Sequence, residues 1–158
     1  VSTDSSDRQP ENQGPPRILP WLARLPFYAW AAPASLIGLL VALPALLAGA
    51  SLRRIDGTLE VAGGRLPVWL RRLPGGIDVA AITFGHVILG RDAATLGHCR
   101  RHEQVHVRQY ERWGLLFFPL YLGSSAWQWL RGRDPYWHNR FEVEAYRLER
   151  EPPEAAGR

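Results

Sequence analysis

The sequence predicts an α+β fold, with a small antiparallel sheet followed by helices that carry the functional residues and an apolar membrane helix in front. Three observations lead there. An uncharged run extends from Leu25 to Leu52. Residues 56–90 are rich in Gly, Val and Ile, with the punctuation of short strands. Two later segments, near Ala93 and near Asp134, open with helix-start signals and continue with helical spacing of apolar residues.

The chain has 158 residues, enough for one domain with a modest core plus an appendage. Residues 1–16, rich in Ser, Asp, Gln and Pro, read as a disordered polar tail, and residues 152–158 as a second flexible tail. Between them, 17–52 is expected to be a membrane anchor and 53–151 the folded domain. The Leu25–Leu52 run is long enough to cross a hydrocarbon core of ~30 Å as a helix. Trp21, Phe27, Tyr28 and Trp30 at its start suit an interfacial aromatic belt, and membrane helices tolerate prolines such as Pro33 and Pro44. Ala48-Gly49-Ala50 resembles a signal-cleavage site, but fifty residues exceed the ~15–30 of a secretory signal. A buried soluble helix is the third reading. Arg17 and Arg24 precede the run, whereas Arg53, Arg54, Arg65, Arg71 and Arg72 follow it. The positive-inside rule therefore places the folded domain on the cytoplasmic side.

Within the domain, Thr58–Ala62 reads as a strand ended by Gly63-Gly64. Ile77–Leu89, after Gly75-Gly76, reads as strand broken near Gly85, giving two to four short strands in all. Asp92 is the expected N-cap of a helix over Ala93–Trp113, with Gly114 as its stop. A second uncharged run, Trp113–Leu130, contains Pro119 and Gly123. A last helix is expected from Asp134-Pro135 to just before Pro152.

The net charge of +4 and pI near 9.8 come entirely from arginine, since lysine is absent. Such a balance suits an anionic membrane or a nucleic acid. No recognition-helix pattern, aromatic sheet signature or zinc-finger spacing accompanies it, so lipid is the expected partner and nucleic acid is not. Arg100, Arg101, Arg108 and Arg112 read as a solvated helix face. Cys99 is the only cysteine, which excludes an intrachain disulfide and any multi-cysteine metal site.

The chemistry concentrates in His102-Glu103-Gln104-Val105-His106. Residues four apart share a helix face, so both imidazoles can reach one metal ion. Glu103, one residue round the helix, can accept a proton from metal-bound water. Composition alone would produce this pattern in on the order of one such chain per hundred, so its position in a well-signalled helix after a β-rich stretch matters. A third ligand is sought in Asn139-Arg140-Phe141-Glu142-Val143-Glu144-Ala145-Tyr146. Glu142 and Glu144 point about 200° apart on a helix, so only one can serve. Ala145, three residues after Glu142, would let this helix approach the histidine helix closely. Glu144 has Arg140 and Arg147 as helical neighbours, the setting of an exposed ion pair. Glu142 is the expected ligand. His98 extends the histidine ladder but lies ~12 Å along the helix from His106, too far to share the ion. His86 and His138 remain unassigned, and either could face the cleft.

These residues resemble the gluzincin branch of the zincin metallopeptidases, in which a glutamate on a later helix completes the site. More loosely, Ile82–Arg147 is similar to small bacterial proteins that pair such a helix with a Phe-Glu-x-Glu-Ala-Tyr segment. The resemblance implies a minimal zincin-like domain. It makes His102, His106 and Glu142 ligands of Zn²⁺, Glu103 the general base, and a peptide or protein the substrate. The chain departs from many gluzincins at Tyr146, where an Asp or Asn often supports a histidine. Tyr136, His138 and Tyr146 are candidate oxyanion donors, and the strand around Ile82–Leu89 could pair with an extended peptide. The rival reading is a non-catalytic, membrane-anchored basic protein whose HExxH helix is structural or accidental. The zinc reading carries a constraint: if Trp113–Leu130 crossed the bilayer, His106 and Glu142 would lie on opposite sides. That run must therefore be re-entrant, interfacial or a core helix.

Overall fold

The computed structural model describes residues 25–72 and 79–151. Both expected tails, Trp21 and Gly75-Gly76 lie outside the described residues. The helix α1 spans Leu25–Leu47 and the strand β1 begins at Ala50. The anchor expected over 17–52 therefore ends early, because Ser51 and Leu52 belong to the sheet. The signal overlooked was Asp56-Gly57. Both residues have positive φ, 48° and 83°, and Ile55 pairs with Thr58 across them. This is a two-residue type I′ hairpin turn, which matches the twist of its flanking strands.

The strands are β1 (Ala50–Ile55), β2 (Thr58–Gly63), β3 (Ala81–Phe84) and β4 (Val87–Gly90), in spatial order β1-β2-β4-β3. The β1–β2 and β3–β4 pairs are antiparallel, but β2 and β4 are parallel. The sheet is thus mixed, not the antiparallel one expected. The connection over 64–80, with the short helix α2 (Leu66–Leu70), carries the chain to the far edge, where β3 forms. The hairpin through Gly85 then inserts β4 between β2 and β3.

Strand alternation divides the sheet into two faces. Val61, Val87 and Leu89 pack with Ala42, Ala45, Leu66 and Leu70 of α1 and α2. Ala62 and Ile88 pack with Leu96 and Val107 of the long helix α3 (Ala93–Trp113) on the other side. Asp92 caps α3 by accepting from Thr95 N at 2.8 Å, and Gly114 stops it at φ 57°. A 3₁₀ turn (Gly114–Leu116) leads to α4 (Phe117–Leu130), of 14 residues or ~21 Å, short of a bilayer core. Among the described residues only α1, with 23, is long and apolar enough to cross one.

The last helix, α5, runs Arg140–Arg150, starting later than expected. Asp134 instead closes a turn by accepting from the amides of Tyr136 and Trp137, both at 2.8 Å. The N-cap is Asn139, fully buried, whose Oδ1 accepts from Phe141 N at 2.9 Å. Its Nδ2 donates to Tyr121 O (3.0 Å) and Ser125 Oγ (2.8 Å), clamping the start of α5 to α4. Proline at the first helical position was the weaker signal here, because the side chain of Asn139 reaches partners on a neighbouring helix.

Helix α1 belongs to the core. A Cβ on Gly38 would stand 2.8 Å from Val87 Cβ, and one on Gly85, at φ 58°, 2.3 Å from Ser35 Oγ. Ser35 Oγ accepts from His86 N at 2.9 Å, tying α1 to the β3–β4 turn. Gly85→Ala combines a strained φ with that overlap and should lower unfolding stability by roughly 2 kcal/mol or more. Gly97→Ala, with nothing within 4 Å, should be neutral or stabilising by up to ~1 kcal/mol. Denaturant titration of both variants in detergent checks the pair.

Candidate metal centre

The expected ligands converge. His102, His106 and Glu142 are all buried, and their donor atoms lie within 4.8 Å of one another. Helix α3 presents the two imidazoles one turn apart, and α5 brings Glu142 against them because Ala145, fully buried, permits close approach. His102 Nε2 is 3.1 Å from His106 Nε2 and 3.1 Å from Glu142 Oε2, and His106 Nε2 is 3.4 Å from Glu142 Oε1. Ligands ~2.0–2.1 Å from a tetrahedral ion stand ~3.3–3.4 Å apart, so these separations match three corners of such a site.

The surrounding hydrogen bonds decide what these atoms can be. His102 Nδ1 is 3.0 Å from the Glu149 carboxylate, which only accepts, so Nδ1 carries the hydrogen. His106 Nδ1 is 2.8 Å from Gln109 Oε1. The orientation of that amide is fixed, since Gln109 Nε2 donates to Phe141 O (3.1 Å) and Glu144 Oε2 (2.9 Å). With both Nδ1 atoms donating outward, both Nε2 lone pairs point inward at each other and at a carboxylate. Three buried lone-pair donors in contact require a positive charge between them, from a proton or a metal ion. The cluster could hold a metal, and its two-nitrogen, one-oxygen donor set fits one.

Proton electrostatics report the same demand. Burial opposes a charge on His106, but the Glu142 hydrogen bond and the Glu103 and Glu142 carboxylates outweigh it, lifting its pKa to about 9. His102 is raised by the same contest, with burial opposing and Glu142 prevailing. Burial alone would raise Glu142, yet His102 and His106, when protonated on Nε2, donate to it and hold it well below the usual carboxylate range. Tyr121 OH donates to Glu142 Oε1 at 2.6 Å and steadies it.

Glu103 is buried beside the His102–His106–Glu142 cluster and accepts from Thr83 Oγ1 at 2.7 Å. It does not pair with Arg100, which binds Glu60 at 2.7 and 3.0 Å instead. Glu144, expected to pair with Arg140 and Arg147, turns to Gln109 and Arg112 on α3. A cleft of about 950 Å³ opens over the site, lined by β3, α3, α4 and α5 and by Asp134–Trp137. His98 stands exposed at its rim, its Nδ1 on Ala94 O. Neither His86 nor His138 lines this cleft. His86 lies elsewhere, stacked on Tyr28 at 4.2 Å and paired with Glu111. Of the oxyanion candidates, Tyr136 and Tyr146 line the cleft, their hydroxyls 3.0 Å apart.

Sequence reasoning missed Thr83, Gln109, Tyr121 and Glu149. Two were legible by helical spacing: Gln109 follows His106 by three, and Glu149 follows Glu142 by seven, two turns on the same face. Glu149 supplies the histidine support that Tyr146 does not. Thr83 and Tyr121 come from other elements and carry no local signal. No protein family, curated protein or solved structure matches the chain.

Metal uptake must displace the proton that His106 holds below about pH 9. Titration with zinc at pH 7 should therefore release at least one proton, since the raised His102 adds to the release from His106. Affinity should climb as pH rises from 6.5 toward 9 and then level off. Calorimetry in buffers of different ionisation enthalpy measures this. Glu142→Ala should abolish stoichiometric metal, whereas Gln109→Ala and Glu149→Ala should weaken it by ~10–100-fold.

Proposed function

We propose that the chain is a zinc-dependent hydrolase, acting as a membrane-associated metallopeptidase of gluzincin type. The observation that carries the reading is the inward convergence of His102 Nε2, His106 Nε2 and Glu142, with Glu103 beside them in an open cleft. Two imidazoles and one carboxylate form a borderline donor set that suits zinc and leaves a fourth position for water. The zinc, when bound, would acidify that water and polarise a carbonyl oxygen.

The chain's own residues supply the rest. Glu103 takes the water proton and passes it to the departing amine. Thr83 holds one oxygen of Glu103, which aims the carboxylate without adding a charge. The pair Tyr136–Tyr146, hydrogen-bonded through their hydroxyls, offers one free O–H to a developing oxyanion; burial and the nearby Glu142 charge raise the Tyr136 pKa, keeping its hydroxyl protonated. The substrate is an extended peptide. β3 is an edge strand lining the cleft, with its outer side unpaired in the sheet, so a peptide can add to it by main-chain hydrogen bonds. Within Ile82–Leu89 only β3 offers this, since β4 is interior. The reading needs the chain held at a membrane, whether α1 crosses the bilayer or lies along it.

Glu103→Gln should retain one zinc per chain and lose at least ~10²-fold of peptide hydrolysis. Full activity in a zinc-loaded Glu103→Gln protein would remove the mechanism. Absence of stoichiometric zinc in the wild type would favour the non-catalytic, membrane-anchored alternative.

A further inference from the structure

Helix α1 has two unlike faces. Its buried residues, Ala31, Ala34, Gly38, Ala42 and Ala45, recur every three or four positions. At about 100° per residue, Leu36, Leu40, Leu43 and Leu47 lie on the opposite side, and they are 60, 70, 52 and 82% exposed. The buried stripe runs from Ala31 to Ala45, so the domain flanks α1 over ~21 Å of its ~34 Å length. A bilayer core surrounding α1 would have to enclose the adjoining sheet as well. That sheet brings Arg53 and Arg54 on β1 and open strand edges, which hydrocarbon does not accept. One face of α1 is committed to protein, while the other is leucine left exposed among the described residues.

Helix α4 repeats the pattern. Only Phe117 is buried, while Leu120, Leu122, Trp127, Trp129 and Leu130 are 41–71% exposed. The two apolar surfaces join at the 3₁₀ turn. The Trp30 ring of α1 lies against Gly114, where an added Cβ would stand 2.8 Å away, and Leu115 and Leu116 are exposed beside it. Neither helix contains an Asp or Glu, and Arg71, Arg72, Arg131 and Arg133 are exposed just beyond the ends of α2 and α4. The aromatic residues and arginines at these borders complement an anionic headgroup layer.

We propose that α1 and α4 lie in the plane of one leaflet as a single monotopic surface docked on an anionic phospholipid bilayer. The sheet and the metal centre then stay on one side of the membrane. Since Phe118 and Tyr121 of α4 also line the cleft, docking sets its mouth beside the headgroups.

The test uses the full chain with Cys99→Ser, reconstituted in phosphatidylcholine–phosphatidylglycerol vesicles. Single cysteines replace Leu36, Leu40, Leu47, Leu122 or Arg147 in turn and carry a fluorophore quenched by lipids brominated near the headgroup or deep in the chain. The expected result is quenching at all four leucine positions, each stronger with the shallow bromine, and none at Arg147. A gradient along α1, deep at Leu36 and shallow at Leu47, would mean a crossing helix and overturn the proposal. Absence of quenching at Leu122 would overturn it too, as would cross-linking of Leu122→Cys between copies without quenching. Independently, an impermeant maleimide should label Gln13→Cys and Arg147→Cys from the same side of an intact cell membrane. Labelling from opposite sides, or loss of the Gln13 segment by processing, would count against it. None of these readouts depends on metal or on hydrolysis.

Discussion

Three buried lone-pair donors held in mutual contact are the constraint on which the rest of this structure turns. Left without a cation, two imidazole nitrogens 3.1 Å apart beside a carboxylate would repel one another in a setting that screens charge poorly. The fold keeps them there by spending every outward hydrogen bond of the cluster. Glu149 and Gln109 fix the two histidine tautomers, and Tyr121 fixes the carboxylate. Such a site is costly to build from side chains alone, and the cost is offset when a positive charge enters.

The neighbouring elements maintain this arrangement. Asn139 locks the start of α5 to α4, so Glu142 arrives within one turn of a rigid cap. Helix α4 therefore acts as a bracket between α3 and α5 as well as a wall of the cleft. On the opposite side of α3, Thr83 and Glu60 emerge from the same sheet face and hold Glu103 and Arg100 respectively. Cross-strand register aligns Thr83, Ile88 and Glu60 in one row beneath α3. Shifting β3 by one residue would turn Thr83 away from Glu103.

Apolar surface is distributed unevenly about this frame. The small-residue stripe of α1 completes the sheet's core, whereas Leu36, Leu40, Leu43 and Leu47 of α1 and the leucines of α4 are exposed among the described residues. Hydropathy cannot separate these roles, because both faces of α1 are apolar and only their side-chain sizes differ. The distinction between a helix that crosses a bilayer and one that lies on it therefore rests on what packs beside it.

Local signals in the sequence determined a good deal. Asp92 and Gly114 bound α3 because capping depends on nearest neighbours, and the i, i+4 spacing alone put His102 and His106 on one face. Ala145 marked the close helix approach that selects Glu142 over Glu144. Asp56-Gly57 announced a hairpin that was legible but overlooked beneath the hydrophobic run before it. Tertiary structure alone decided the parallel pairing of β2 with β4, the cap at Asn139, and the partners Thr83 and Tyr121. These depend on contacts between residues far apart in the chain, whose free energies come from packing and not from local propensity, so no window of sequence contains them.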